Sequence, residues 1–258
     1  MTPRSLRTSW RRVILLFGAA LLVSPAAAGA QSARSLAMGY ADGVFLGDAD
    51  TRGPWLTRAA GTGADILRIE IGWVAPNTAT RPPDFDARDP ADPAYSFTIA
   101  DAAIVDATAR GLRVLATFTR APRWAEGPNR PAGVTPGSWQ PDPRALEEYG
   151  AALARRYSGS FPDPARPGRL LPRIAAFQVW NEPNLDKYLT PLRKNGRSFA
   201  PAHYRRMLTA FHRGANVVRP APLVVTGAWR RSATRSRAPR GTASGPRASC
   251  ARCSAYAR

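Results

Sequence analysis

The stretch "FQVWNEPN" (Phe177–Asn184) ends an apolar, β-prone run on an amide, a carboxylate and a proline. A carboxylate at the end of a buried strand suits chemistry on a sugar. Cleaving a glycosidic bond needs one carboxyl group to protonate the leaving oxygen. It needs a second as nucleophile or to activate water. Glu182 is a candidate for one of the two. The Asn181 amide can hydrogen-bond a sugar hydroxyl, and the Trp180 indole can stack on sugar C–H surfaces. An ordinary turn, shaped by Asn181 and Pro183 with Glu182 solvated, would carry the same residues.

A second charged pair stands in "DILRIEIGW" (Asp65–Trp73). Arg68 and Glu70 are two apart and share one strand face, while Leu67, Ile69 and Ile71 share the other. Charges on an enclosed face are costly unless they pair or serve chemistry, so this is either an ion pair or part of a site. Trp73, Trp124 and Trp139 fall in or near loops after strands; each is a sugar platform or a packing residue. "DFDARDPAD" (Asp84–Asp92) matches a calcium loop in composition but lacks the EF-hand spacing and glycine. His203 and His212 read as packing or surface residues of one helix. Cys250 and Cys253 form a lone C-x-x-C without a second ligand pair. No metal and no cofactor is expected.

The elements that must position these groups alternate in type. Strand candidates are Ser35–Phe45, Asp65–Trp73, Leu112–Phe118, Arg173–Trp180 and Ala221–Ala228. Helix candidates are Pro54–Ala64, Phe97–Gly111, Asp142–Tyr157 and Pro201–Val218. Asp142 as N-cap and Pro143 at N1 mark the start of the third helix, and Gly111 marks the end of the second. This order predicts an α/β fold with a parallel sheet and helical crossovers. No G-x-G-x-x-G follows the first strand, which weakens a dinucleotide-binding sheet. Long loops follow Trp73, Phe118 and Trp180. In a (β/α)8 barrel they would lie together on the catalytic face.

Taken together, these segments resemble the clan A glycoside hydrolases, retaining (β/α)8 enzymes such as families 5 and 39. The likeness runs from Leu36 to Ala228, and "WNEPN" is its most specific element. It implies that Glu182 is the acid/base, that Asn181 binds the sugar and that Arg68 lies near the nucleophile. "GLRVLATFTRAPRWAEG" (Gly111–Gly127) resembles the clan's third strand and loop, and "VVTGA" the start of its fifth strand. The expected activity is retaining O-glycoside hydrolysis of a poly- or oligosaccharide, cellulase-type, with a carbohydrate as the partner. Trp180, Trp124 and Trp139 join Asn181 and Arg68 as substrate-binding candidates.

The resemblance also implies a nucleophilic Glu at the end of a seventh strand. Here the last acidic residue is Asp186, and the 72 residues from Lys187 to Arg258 hold no Asp or Glu. The expectation is therefore an incomplete TIM barrel of about five βα units, without its nucleophile and inactive as written. The domain plan is a signal peptide at 1–30, the N-terminal part of a barrel at 31–228 and a basic tail at 229–258. That tail has eight Arg, no acid and no apolar periodicity. It suits a shifted reading frame in GC-rich DNA, where Ala codons become Arg codons. A real basic arm is the competitor. A noncatalytic carbohydrate-binding remnant is the alternative function.

A nucleic-acid-binding protein is the third reading, because the formal charge is +19. The placement of that charge argues against it. Four Arg and no acid lie in residues 1–30, and eight Arg in the tail. The segment 31–228 holds 25 Lys or Arg against 18 Asp or Glu, a net of +7. No nucleic-acid partner is expected. Arg4, Arg7, Arg11 and Arg12 precede "VILLFGAALLV" (Val13–Val23), too short for an ordinary membrane span, and then "AGA" (Ala28–Ala30). This pattern predicts export with cleavage before Gln31, and "SWRRVIL" suits the twin-arginine route. A secreted or extracytoplasmic protein, free of the membrane after cleavage, is the expectation. Amino-terminal sequencing of secreted material should begin at Gln31. Met1 retained in a membrane fraction would overturn the assignment.

Overall fold

The computed structural model describes residues 36–229. The export segment and, apart from Trp229, the basic tail lie outside the described residues. Five strands form one parallel sheet: β1 (Gly39–Ala41), β2 (Ile66–Glu70), β3 (Arg113–Phe118), β4 (Ala176–Val179) and β7 (Leu223–Thr226). Their spatial order is β1-β2-β3-β4-β7, which is also their chain order. A doubly wound sheet reverses direction at a switch point. This sheet never reverses, so it is singly wound, as an arc of a (β/α)8 barrel is. Among the described residues β1 and β7 each pair on one side only.

Helices α1 (Ala49–Gly61), α2 (Thr98–Thr108), α3 (Pro143–Arg156) and α4 (Ala200–Ala215) connect the strands. Asp142 caps α3 as its sequence predicts, accepting a hydrogen bond from Arg144 N, with Pro143 in the first turn. Gly111 closes the turn after α2 at φ +77°, a region that costs glycine little. The first helix begins earlier than the sequence suggests. Asp48 accepts from Thr51 N at 2.8 Å and caps it. Pro54 therefore lies inside α1, on its exposed side, where the missing N–H costs least. The strands are shorter than their apolar runs. The ladder stops where the backbone turns away, after Glu70 and after Val179.

One hairpin escaped the sequence reading. Strands β5 (Arg193–Lys194) and β6 (Arg197–Ser198) pair antiparallel around Asn195–Gly196. Both turn residues have positive φ, 51° and 72°, as in a tight hairpin turn. The Asn-Gly dipeptide was the available signal. The acidic loop is explained by turns. Asp86, Asp89 and Asp92 each accept a backbone N–H two residues on, from Arg88, Ala91 and Ala94. Among the described residues no cluster of three or more His, Cys, Asp or Glu could hold a metal ion. No described helix is long and apolar enough to cross a membrane.

The sheet has two chemically different faces. Leu67, Ile69, Val114, Ala116, Phe118, Phe177 and Val179 are buried in one apolar core with Leu56, Ile104, Leu146 and Phe211 of the four helices. The other face carries Arg68, Glu70, Thr117 and Gln178, brought level by register: Glu70 opposes Thr117, which opposes Gln178. Helices α3 and α4 meet almost backbone to backbone. A Cβ on Gly214 would lie 1.9 Å from the Glu147 carbonyl oxygen, and one on Gly150 would lie 2.9 Å from that of Phe211. Neither obstacle is a flexible side-chain tip. Gly214→Ala should therefore destabilise the fold by roughly 1–3 kcal/mol, despite the higher helix propensity of alanine. Chemical denaturation would measure it, and an unchanged midpoint would show that the helices can part.

Candidate active site

The carboxyl ends of β2, β3 and β4 lie side by side, and the long loops 71–97, 119–142 and 180–199 leave from them. Arg68 comes from β2. Its Nε donates to Gln178 Oε1 at 3.1 Å, and its Nη2 donates to Asn181 Oδ1 at 2.9 Å. Guanidinium carries donors only, so both amides must turn their oxygens toward it. The Gln178 Nε2 group then faces the other way and donates to the Trp180 carbonyl at 3.0 Å. Asn181 is left with its Nδ2 donors for other partners. Glu182 follows, half-buried.

The ion pair between Arg68 and Glu70 that the sequence permits does not form. Arg68 reaches across β3 to amides of β4 and the turn beyond it, and Glu70 accepts from Thr119 Oγ1 at 2.7 Å. The alternation puts both on one face, as expected, but guanidinium reach favours the polar groups two strands away. Of the remaining acids, Glu126 has a side chain only 1% exposed. It accepts from Gly137 N at 2.8 Å and Trp139 N at 3.2 Å and pairs with Arg130 at 3.1 Å, which folds the β3–α3 loop around it. Glu147 and Glu148 on α3 pair with Arg213 and Arg81.

The turn that carries Glu182 is strained. Trp180 has φ +69° and Glu182 φ +34°, in the left-handed region that bulky residues avoid at a cost of order 1–3 kcal/mol each. Several contacts hold the turn there. Thr117 Oγ1 also approaches the Trp180 carbonyl, at 3.5 Å. Trp180 Nε1 donates to the Tyr188 carbonyl at 2.8 Å. Tyr204 of α4 donates to the Val179 carbonyl at 2.8 Å and accepts from Gly227 N at 2.6 Å, tying the ends of β4 and β7 together. A Cβ on Gly227 would lie 2.9 Å from the Trp180 carbonyl oxygen.

The tryptophans divide differently from the sequence expectation. Trp180 is 0% exposed and offers no face for a sugar. Its indole anchors the turn instead, a correction of its role as a stacking surface. Trp73 is buried and stacks on Tyr149 at 5.2 Å. Trp124 and Trp139 are half-buried, and each donates its indole N–H to a loop carbonyl, Pro76 at 2.8 Å and Pro128 at 2.9 Å. Trp124 thereby braces the β2 loop against the β3 loop. Gln178, Thr119 and Tyr204 went unnoticed in the sequence. For Gln178 the signal was a polar residue two before Trp180 inside an apolar run.

No protein-family model and no curated protein sequence matches the chain. Solved structures do. A glucosidase from Croceicoccus marinus aligns over 74% of this chain and 36% of its own, at 18% identity and TM-score 0.48. The GH39 enzyme from Xanthomonas axonopodis pv. citri aligns over 73% and 34%, at 16% identity and TM-score 0.46. Endoglucanase Cel5A from Thermotoga maritima aligns over 74% and 51%, at 18% identity and TM-score 0.40. The structures this chain resembles are glycoside hydrolases. The chain spans about a third to a half of their length.

His203 borders this region from α4 and is only 5% exposed. Its Nε2 lies 3.0 Å from the Pro141 carbonyl, and its Nδ1 lies 3.1 Å from Arg206 Nη2. Only the neutral ring with its hydrogen on Nε2 satisfies both. Burial first, and the Arg206 charge second, hold its pKa down from 6.5 to about 4. The folded state thus refuses a proton that the unfolded state accepts. Stability should fall as pH drops from about 6.5 to about 4, by up to about 3 kcal/mol from this residue. Unfolding free energies measured across that window should slope less in His203→Gln. Equal slopes would show that His203 is not the source.

Proposed function

We propose that the carboxyl edge of this sheet is the acid/base half of an O-glycosidase site. Glu182 is the proton donor to the leaving oxygen, Asn181 hydrogen-bonds a sugar hydroxyl through Nδ2, and Arg68 fixes Asn181 from β2. The observation that carries the reading is the Arg68–Asn181 contact beside Glu182, at the loop-bearing end of a singly wound parallel sheet. The "WNEPN" sequence supports it.

Hydrolysis with retention requires a second carboxylate about 5 Å from the first. After Asp186 the sequence has no acid to offer. Glu126, Glu147 and Glu148 are engaged in ion pairs with Arg130, Arg213 and Arg81. Glu70 shares the polar face of the sheet with Arg68, but it stands on β2. The chain by itself is thus read as a saccharide-binding half-site. This is also where the noncatalytic reading and the enzymatic one meet. Both predict sugar binding, and they differ only in whether a nucleophile joins the site.

Two outcomes are expected. The purified chain should bind oligosaccharides, as followed by calorimetry, without releasing reducing sugar. Turnover by this chain would overturn the half-site reading. In any preparation that does turn over, Glu182→Gln should lose most activity on glycosides with poor leaving groups. It should lose less in the glycosylation step with good ones, whose oxygen needs little protonation. Equal loss on both would remove Glu182 from the acid role.

A further inference from the structure

We infer that Gln178 is a positioning residue whose single side-chain amide fixes the orientation of Asn181 and joins the contacts that hold the left-handed turn presenting Glu182. The inference rests on the proposed function for its meaning, but its geometry is independent of it. Gln178 lies on β4, on the polar face of the sheet, between Thr117 and Val225 in register. It is buried, so its polar atoms depend on protein partners. Both ends of the amide are used. Oε1 receives Arg68 Nε, and Nε2 reaches the Trp180 carbonyl.

The two ends do different work. At the oxygen end, Gln178 accepts from Arg68 Nε while Arg68 Nη2 meets Asn181 Oδ1, so one guanidinium joins the two amides. Rotating Asn181 by half a turn would set its NH2 against an all-donor guanidinium. The arrangement therefore leaves Asn181 with donors, and it selects sugar groups that accept. At the nitrogen end, Gln178 gives the strongest of the two hydrogen bonds to the Trp180 carbonyl, 3.0 Å against 3.5 Å from Thr117. That carbonyl belongs to the residue at φ +69°, two before Glu182. Among the described contacts no other side chain touches both Arg68 and the Trp180 backbone.

A carboxylate cannot replace this amide. Glutamate would keep the acceptor for Arg68, with charge assistance, but would turn an oxygen toward the Trp180 carbonyl. Methionine would fill the space and supply neither end. The two substitutions separate the two functions of the residue.

The test is nuclear magnetic resonance of the full chain, reading the Arg68 Nε–H, the Asn181 side-chain amide pair and the Glu182 backbone N–H. In Gln178→Met the Arg68 and Asn181 signals should both move to solvent-exposed positions. In Gln178→Glu they should stay near their wild-type positions while the Glu182 N–H shifts. Thr117→Val, which removes the longer contact to the same carbonyl, should leave the Asn181 pair in place. Cellobiose, as a β-linked probe, should bind about tenfold more weakly to Gln178→Met, the loss of roughly one net hydrogen bond. Gln178→Met with a lower melting temperature but unmoved Arg68 and Asn181 signals would reduce Gln178 to packing and overturn the inference. Should wild type ignore the probe while the resonances behave as stated, the saccharide reading fails and the positioning network stands.

Discussion

The Trp180 carbonyl is the point on which the site depends. The chain leaves β4 through a residue at φ +69°, a conformation that a bulky side chain does not choose on its own. The strain persists because the surroundings over-determine it. Gln178 and Thr117 hold the carbonyl, the buried indole is tied to Tyr188, and Tyr204 fixes the residue before. Strain of this kind is found where a side chain has to be aimed. In the proposed reading the residues so presented are Asn181 and Glu182.

That aim relies on the unequal faces of the sheet. The helix-covered face is close-packed and apolar, down to the backbone contact that Gly214 allows between α3 and α4. It makes the strands rigid. The opposite face holds polar groups that satisfy one another across strands, from Arg68 on β2 to Gln178 on β4. A rigid apolar face allows a polar network on the opposite side to keep its geometry within hydrogen-bond tolerance. Loops that would otherwise be loose are braced by buried contacts: Glu126 inside the β3 loop, and the Trp124 indole between loops.

Arg68 illustrates how partner choice decides the use of a charge. Its hydrogen bonds go to neutral amide oxygens, and the described ion pairs do not include it. A guanidinium bound to a carboxylate would be largely neutralised. Bound to amide oxygens, its charge is balanced by none of the described ion pairs. By contrast Arg156 is neutralised by Asp101 in a buried pair with Tyr157. The same residue type is ion-paired in one place and bound to amides in the other.

Much of this was legible in the sequence, for physical reasons that are local. Strand–helix alternation, the Asp142–Pro143 helix start and the Gly111 stop follow from backbone and capping chemistry that needs no distant partner. The period of two in "LRIEIGW" sorted Arg68 and Glu70 from Leu67 and Ile69. The Asn-Glu-Pro ending marked Asn181 and Glu182. What only the tertiary structure decided is who meets whom. Whether Arg68 takes Glu70, two residues away on its own strand, or Gln178, 110 positions along the chain, depends on sheet order and register. Whether Trp180 is a platform or an anchor depends on α4 and the loop to Tyr188 closing over it. Such choices are set by long-range packing, which a linear pattern of residue types does not contain.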